Sequence, residues 1–241
     1  MSAPSLDVIR WGRERARTGP WRGDQHTAHL VPLPEAAPLS ADFVRRALTV
    51  LADQGYRQVV TSALAEGECA GFLSAGFAVA QGLHLLVHDL IDLPDLPAVP
   101  GRLRRAWPFD RPAVIELDNL AFSEFWRLDS QGLTDAIQAT PRARFRVAVP
   151  TAATQPCGYA VCGVAGRRGY VQRLAVHPEF QGQGWGRALL LEGLHWLRDR
   201  SAFTAVVNTQ HGNERALHLY LAMGFQQQRS GLAVLSIGLP Q

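Results

Sequence analysis

The most informative stretch of this sequence is a glycine-rich segment between an apolar, strand-like run and an amphipathic, helix-like run. It covers residues 174–190, LAVHPEFQGQGWGRALL, with glycine at positions 182, 184 and 186. Glycines at alternate positions let backbone N–H groups converge without obstruction by side chains. The first N–H groups of a helix lack intrahelical acceptors and lie at the positive end of its dipole. The sequence therefore predicts a phosphate-binding turn that opens into a helix near Arg187.

The spacing of these glycines excludes a dinucleotide-binding fingerprint. The pattern G-x-G-x-x-G requires a glycine three residues after Gly184, where this chain has Arg187. What remains is Q-x-x-G-x-G, formed by Gln181, Gly184 and Gly186 after the strand-like Leu-Ala-Val. A second motif, N-x-x-A-x-x-x-Y-x-x-x-G-F, follows at residues 213–225.

These two motifs, in this order, resemble those of the GNAT superfamily of acyl-CoA-dependent N-acyltransferases, and the resemblance covers about residues 113–239. It implies acetyl-CoA as the cofactor, with the pantetheine along residues 174–176 and the diphosphate on the glycine-rich loop. The resemblance assigns the following residues to cofactor binding: Leu174, Ala175, Val176, Gln181, Gly182, Gln183, Gly184, Trp185, Gly186, Arg187, Asn208 and Asn213. A plain N-cap explains Asn213 equally well, and the Trp185 side chain is expected to pack at the surface.

The resemblance also implies a catalytic role for Tyr220 as the general acid that protonates the departing thiolate. A core tyrosine is the competing interpretation, because Tyr220 shares a helix face with Ala216 and Met223. In the family, a backbone N–H of the strand at residues 174–176 polarises the thioester carbonyl. The implied reaction is direct attack by the amine in a ternary complex, without a covalent enzyme intermediate.

A general base is harder to assign from the sequence. The amine must lose a proton before it attacks, since an alkyl ammonium has a pKa near ~10. Relatives often carry a glutamate on the strand before the loop, but this chain has Gln172 and Arg173 there. Weak candidates, expected to be exposed carboxylates, are Glu116, Asp118 and Glu124, and a chain of water molecules is the alternative. Candidates for the wall of the substrate pocket, which core packing explains as well, are Phe122, Trp126 and Leu128.

Hydrophobic periodicity and turn residues predict the elements that position these motifs. Strands are predicted at 113–117, 144–149, 158–164, 169–176, 205–208 and 233–237. Helices are predicted at 187–197, where Leu190, Leu194 and Leu197 share a face, at 213–223, and at 122–138 with an interruption near Gly132. The predicted fold class is α/β with a mixed sheet, a GNAT fold in the C-terminal half and a partial GNAT-like N-terminal half.

The N-terminal half repeats the order of the C-terminal half in weaker form. A helix is predicted at 40–52 with Ser40 as N-cap, followed by a strand at 58–62 and a short helix that ends before Gly76. The segment that corresponds to the glycine-rich loop, residues 34–43, has no glycine and two prolines, and Phe72 stands in the place of Tyr220. We therefore predict a degenerate, truncated and non-catalytic GNAT-like domain at residues 1–107 and a catalytic domain at 108–241.

Composition narrows the possible functions further. All 24 basic residues are arginine, which excludes a Walker-type phosphate loop, a Schiff-base lysine and a Ser-Lys nucleophile. The net charge of +3 indicates no nucleic-acid partner, and the basic clusters at 10–17 and 102–105 are interpreted as solvated faces. Three cysteines form no disulfide framework, and no metal site is expected; Cys157 and Cys162 are interpreted as small buried apolar residues. Without a long apolar run or a secretory signal, a cytoplasmic protein with no membrane partner is expected.

The leading functional hypothesis is acetyl transfer from acetyl-CoA to a primary amine of an unidentified small-molecule or peptide acceptor. One alternative is a mycothiol-synthase-like acetyltransferase, although this chain is shorter and its first half lacks a complete sheet of its own. The other is a non-catalytic acyl-CoA-binding regulator, which the absence of an acid at Gln172 allows. The sequence does not predict the oligomeric state.

Overall fold

The computed structural model describes residues 7–33 and 37–240. Its strands are β1 (Asp7–Trp11), β2 (Glu14–Trp21), β3 (Asp24–Pro32), β4 (Gln58–Thr61), β5 (Leu64–Ala65), β6 (Ala78–His88), β7 (Gly101–Arg105), β8 (Arg142–Pro150), β9 (Gly158–Ala165), β10 (Arg168–Val176), β11 (Thr204–Gln210), β12 (Gln226–Gln227) and β13 (Leu232–Gly238). Its α-helices are α1 (Ala41–Asp53), α2 (Glu66–Ser74), α3 (Arg111–Ala121), α4 (Ser130–Gln138), α5 (Trp185–Asp199) and α6 (Glu214–Ala222).

The described residues form two compact units that are interleaved along the chain. The first unit contains the residues up to Leu85, then Thr209–Asn213, and the residues from Gln228 onward. The second contains Leu86–Asn208 and Glu214–Gln227. The predicted domains, a degenerate one at residues 1–107 and a catalytic one at 108–241, concern the origin and function of each half of the chain, and they stay a prediction.

The first unit is a mixed sheet in the order β1-β2-β3-β4-β13-β6, covered by α1 and α2. The strands β3 and β4 are parallel, and the other neighbours in this order are antiparallel. The helix α1 begins as predicted, because the Ser40 hydroxyl accepts a hydrogen bond from the N–H of Phe43. The segment predicted to correspond to the glycine-rich loop is residues 34–43, and its first three residues, 34–36, lie outside the described residues.

The last strand of the chain completes the sheet of the first unit. β13 pairs antiparallel with β4 through residues 236–238 and with β6 through residues 232–236. Leu235 is fully buried in the same cluster as Phe43 and Phe72. Segments from both ends of the chain therefore build this unit.

The second unit is also a mixed sheet, in the order β11-β10-β9-β8-β7, which confirms the predicted fold class. β10 and β11 are parallel, and the remaining neighbours are antiparallel. The predicted apolar face of α5 packs into the core, where Leu190, Leu194 and Leu197 are fully buried. α3 and α4 pack on a separate cluster that includes Val114, Leu133 and Tyr159.

Two predicted elements differ from the structure. Residues 113–117 lie in the helix α3 rather than in a strand. The run Ala-Val-Ile favoured a strand, but Pro112 in the first turn suits a helix start, and Val114, Leu117 and Asp118 share one buried helical face. The helical segment 122–138 is interrupted at residues 122–129 rather than near Gly132, which lies in the first turn of α4 and donates its N–H to the capping carboxylate of Asp129.

The cysteines are free and buried, as expected for small apolar residues. Burial raises the pKa of the Cys157 thiol to about 11 and that of Cys162 to about 12. None of the described helices has the length and apolar character needed to cross a membrane.

Candidate functional site

The parallel strands β10 and β11 separate before residues 174–176, the predicted pantetheine-binding segment of β10. Their pairing runs from Arg168–Tyr170 to Thr204–Val206, and the described residues show no further pairs between them although β10 continues to Val176. On its other side β10 pairs with β9, with a bulge between Val171 and Arg173. Backbone N–H groups on the open edge of β10 are therefore available to a ligand, including those predicted at residues 174–176.

The glycine-rich loop follows the end of β10, next to the unpaired edge of that strand. Gln181 Nε2 donates to the carbonyl of Val176 at 3.0 Å, and Gln181 Oε1 accepts a hydrogen bond from Arg215 of α6. Gln183 Nε2 donates to the carbonyl of Glu179 at 3.1 Å. The amide side chains of Gln181 and Gln183 therefore fix the loop against its neighbours.

Glycine is required at two positions of this loop. Gly182 has a φ of +78° and Gly184 a φ of +88°, in the left-handed region that L side chains rarely adopt. An added Cβ at either position would meet no described atom within 4 Å, so open space lies in front of the loop. Gly184 is the N-cap of α5, so the N–H groups of the first helical turn that follow it have no acceptor within the helix. The loop fits a diphosphate, with the exposed Arg187 beside it.

The side chain of Trp185 lies in the core, so the expectation that it packs at the surface is wrong. Only 1% of this residue is exposed, and it packs in a cluster with Cys157 and Leu189. Its Nε1 is buried without a hydrogen-bond partner among the described residues. Trp185 can contribute only its backbone N–H to a ligand, because the indole is enclosed by protein.

Tyr220 lies on α6 in the core of the second unit. It is 5% exposed, and its ring centroid lies 5.6 Å from that of Phe225. Burial raises the pKa of its hydroxyl above the ordinary value, so the group stays protonated at neutral pH. A protonated hydroxyl can donate a proton, although the raised pKa makes it a weaker acid than an exposed tyrosine, and its burial equally suits the competing interpretation as a core tyrosine.

Of the two asparagines assigned to the cofactor, Asn208 lies within β11 and Asn213 lies just before α6. Asn208 is exposed on β11. Asn213 precedes α6 as predicted, but it belongs to the first unit, where its side-chain amide donates to Gln210 Oε1 at 3.2 Å. Their contacts with a cofactor stay predictions.

The three candidate bases have different surroundings. Glu116 on α3 and Glu124 in the turn Glu124–Trp126 are exposed, as expected. Asp118 is fully buried, so the expectation of an exposed carboxylate is wrong for this residue. It lies four residues after Val114, on the face of α3 that packs against the sheet.

Asp118 forms the centre of a buried polar network. Arg173 binds it through two hydrogen bonds of 2.8 Å, Nε to Oδ2 and a terminal guanidinium nitrogen to Oδ1. The hydroxyl of Tyr159 donates to Oδ2, and the N–H of Leu128 donates to Oδ1 at 2.8 Å. These hydrogen bonds raise the pKa of Arg173 against the opposing effect of burial. Since four donors occupy the carboxylate, the geometry favours a structural role for Asp118 over that of a base.

The same network anchors the predicted wall of the acceptor pocket. The Arg173 guanidinium lies 3.6 Å from the centroid of the Phe122 ring and donates to the carbonyl of Trp126 at 2.6 Å. Leu128 is buried and tied to Asp118 through its N–H. The segment 122–128 is thereby fixed to β10 at the residue next to the bulge. Sequence reasoning missed this network, although a charged residue within an apolar strand, Arg173, was a signal for a buried partner.

Gln172 occupies the position at which the resemblance to the GNAT superfamily leads us to expect a glutamate. Its Nε2 donates to Thr140 Oγ1 at 3.2 Å, and its Oε1 is buried without a partner among the described residues. A neutral amide at this position cannot serve as a base. The described residues of this strand therefore provide no carboxylate at the expected place.

Comparisons with known proteins agree with this geometry. Residues 111–225 match the model of the acetyltransferase (GNAT) family. The mycothiol acetyltransferase of Rhodococcus erythropolis is 31% identical over 183 residues, 65% of this chain and 60% of that protein. The mycothiol acetyltransferase of Rhodococcus opacus is 29% identical over 189 residues, 68% of this chain and 61% of that protein. The chain thus spans about 60% of the length of these two curated relatives.

Solved structures share the fold. A tandem GNAT protein from the clavulanic acid biosynthesis pathway has a TM-score of 0.72 and 16% identity, with 99% of this chain and 84% of that chain covered. A GCN5-related N-acetyltransferase from Sphaerobacter thermophilus has a TM-score of 0.67 and 16% identity, with 95% of this chain and 78% of that chain covered. At this level of identity, the comparison establishes the fold alone.

Proposed function

Residues 111–225 of this chain match the model of the acetyltransferase (GNAT) family, and from this match we propose that the protein transfers the acetyl group of acetyl-CoA to a primary amine. The observation that carries the proposal is the position of the glycine-rich loop. It lies at the N-terminus of α5, where the open edge of β10 ends. This arrangement provides amide donors for a diphosphate beside a strand edge that can pair with an extended ligand arm.

In this proposal two parts of the second unit, the glycine-rich loop and the open edge of β10, hold acetyl-CoA. The N–H groups at 182–187 bind the diphosphate, and the open edge of β10 at 174–176 binds the pantetheine arm. When bound, acetyl-CoA supplies an activated thioester carbonyl. A backbone N–H of the same strand edge polarises that carbonyl as negative charge develops on its oxygen.

The proton transfers are assigned to a different set of groups. The protonated hydroxyl of Tyr220 donates its proton to the departing thiolate of coenzyme A. The attacking amine loses a proton to Glu116, Glu124 or a chain of water molecules. A base at Asp118 is disfavoured by its four hydrogen bonds.

A mycothiol-like amine is the acceptor that the relatives favour, because both Rhodococcus relatives are named mycothiol acetyltransferases. The wall of the acceptor pocket is assigned to Phe122, Trp126 and Leu128, which the Arg173 network holds in place. A small-molecule or peptide amine of another kind is the broader form of the proposal.

The decisive experiment measures release of free thiol from acetyl-CoA in the presence of a panel of amines, with coenzyme A binding measured separately. We expect turnover with at least one amine, and a loss of kcat of about 100-fold or more in Tyr220→Phe with coenzyme A binding unchanged. Saturable binding without turnover on any amine would instead favour the acyl-CoA-binding regulator. An unchanged kcat in Tyr220→Phe would identify Tyr220 as a core residue only.

A further inference from the structure

A cavity in the second unit, apart from the glycine-rich loop, is rich in arginine. Its volume is about 710 Å³, which lies in the range of small-ligand sites. Of its fourteen lining residues, six are arginine and none is acidic, whereas the whole chain has 24 arginines in 241 residues. The six are Arg105, Arg111, Arg142, Arg144, Arg146 and Arg200.

These arginines converge because of the strands that carry them. Arg142, Arg144 and Arg146 alternate along β8, so their side chains lie on one face of the strand. Arg105 on β7 is directly opposite Arg146 in the antiparallel pair. Like charges at directly opposed positions destabilise a sheet, so stability does not explain this arrangement.

Only part of this positive charge is neutralised by protein. Glu192 on α5 accepts hydrogen bonds from Nε of Arg144 at 2.8 Å and from Nε of Arg146 at 2.7 Å, so one carboxylate serves two guanidinium groups. Among the described residues, no carboxylate lies within 4.0 Å of the guanidinium nitrogens of the other four arginines. Guanidinium groups bind phosphate oxygens through paired hydrogen bonds, which suits this excess of charge.

An exposed aromatic ring lies beside the arginines. Trp107 lines the cavity and is 48% exposed, and the guanidinium of Arg105 lies 5.6 Å from its ring centroid. An exposed indole of this kind offers a face on which a planar ring can stack. The cavity therefore combines phosphate donors with a stacking surface.

The cavity is separate from the glycine-rich loop. Trp196 and Arg200, which line it, lie at the C-terminal end of α5, whereas the loop enters the N-terminal end. The helix has 15 residues, a length of about 22 Å. A ligand bound at one end therefore leaves the other end free.

We propose that this cavity binds a small ligand with at least two phosphate groups and a planar ring, the chemistry of a nucleoside di- or triphosphate. The phosphates bind Arg142 and Arg200, which no carboxylate of the described residues holds, and the ring stacks on Trp107. This site is additional to the one that serves acetyl transfer and does not depend on that function.

The test is calorimetric titration of ATP into the full chain and, in parallel, into its Gly184→Val variant, in which the glycine-rich loop is disrupted and ATP binding to the cavity should persist. Coenzyme A is left out, because its own diphosphate and adenine ring would also fit the cavity. We expect one ATP per chain, with affinity that falls as the salt concentration rises. Arg142→Gln combined with Arg200→Gln should weaken ATP binding at least about tenfold, because charged hydrogen bonds are lost. These two arginines are chosen because neither holds the carboxylate of Glu192.

The matched control is Arg102→Gln combined with Arg229→Gln, which removes the same charge at exposed residues that do not line the cavity. It should leave ATP binding unchanged, and both double variants should bind coenzyme A as the wild type does. Equal weakening of ATP binding in both double variants, ATP binding that is lost in Gly184→Val, or no ATP binding to the wild-type chain would overturn the proposal. Inorganic triphosphate that binds as tightly as ATP would overturn the stacking role of Trp107, and binding of single-stranded RNA without binding of ATP would overturn the small-ligand assignment.

Discussion

Burial separates the acidic and hydroxyl side chains of the second unit into two groups with different functions. Asp118 and Tyr159 are fully buried and satisfy one another together with Arg173, which fixes the segment 122–128. Glu116 and Glu124 are exposed to solvent. A carboxylate suits a general base in each case, but the carboxylate of Asp118 has a structural role, whereas those of Glu116 and Glu124 remain candidates for the base.

The substitution Asp118→Asn tests the structural role of the buried carboxylate. It leaves the Arg173 guanidinium buried without its counter-ion, and breaking such a pair costs about 3–5 kcal/mol. We expect that loss in the free energy of unfolding, measured by urea denaturation. Glu116→Gln, on the exposed face of the same helix, is the control and should leave stability nearly unchanged. An Asp118→Asn variant of normal stability but without activity would restore the hypothesis of a base at this position.

The pH dependence of the reaction tests the protonation of Tyr220. Burial raises the pKa of this hydroxyl, so the protonated form needed for a general acid persists to higher pH than in an exposed tyrosine, whose pKa is about 10. We expect kcat to show no loss from this group as the pH approaches about 10, with loss only above it. Tyr220→Phe, assayed over the same pH range, separates this group from others. A decline of kcat below that pH that disappears in the phenylalanine variant would contradict the prediction.

At the scale of elements, the loop and the helix α5 act as one unit. Gly184 caps the helix in the left-handed conformation, and the N–H groups that follow it are the proposed diphosphate donors. The two glutamine side chains of the loop bind backbone carbonyls, so the loop keeps its shape without a ligand. Preorganisation of this kind reduces the entropy lost when a ligand binds.

Gly184→Val tests the loop through its backbone. A β-branched residue in the left-handed region costs at least about 1–2 kcal/mol, so we expect the loop to rearrange and the affinity for coenzyme A to fall about tenfold or more. Gly186→Ala is the matched control, because Gly186 has no positive φ and an added Cβ would make ordinary contact with Leu219 at 3.4 Å. Calorimetric titration with coenzyme A gives the affinities, and an unchanged affinity in Gly184→Val would refute the proposed diphosphate site.

At the scale of the whole molecule, the order of segments along the chain differs from their grouping into the two units. The second unit begins at Leu86, and its core includes Leu86 and Leu90, while the last strand of the chain belongs to the first unit. β13 pairs with β4 and β6, and both of these strands precede residue 108. A cut at residue 107/108 therefore removes partners of the last strand and core residues of the second unit.

This organisation predicts the behaviour of the fragment 108–241. We expect it to be much less stable than the full chain, because β13 would expose unpaired backbone groups and α5 would lose the contacts of its core with Leu86 and Leu90. Circular dichroism during thermal unfolding, together with limited proteolysis, gives the comparison. A fragment that unfolds cooperatively at the temperature of the full chain would show instead that the predicted boundary separates independent domains.

The sequence alone determined the parts of this protein that rest on local patterns. The glycine-rich loop, the helix α5, the cap at Ser40 and the α/β class with a mixed sheet follow from backbone preferences and hydrophobic period, which act over a few residues. Only the tertiary structure decided that residues 113–117 are helical, that Trp185 and Asp118 are buried, that six arginines share one cavity, and that β13 completes the first unit. Each of these depends on partners distant in the chain, and the free energy of burial and charge pairing is set by those partners rather than by neighbouring residues.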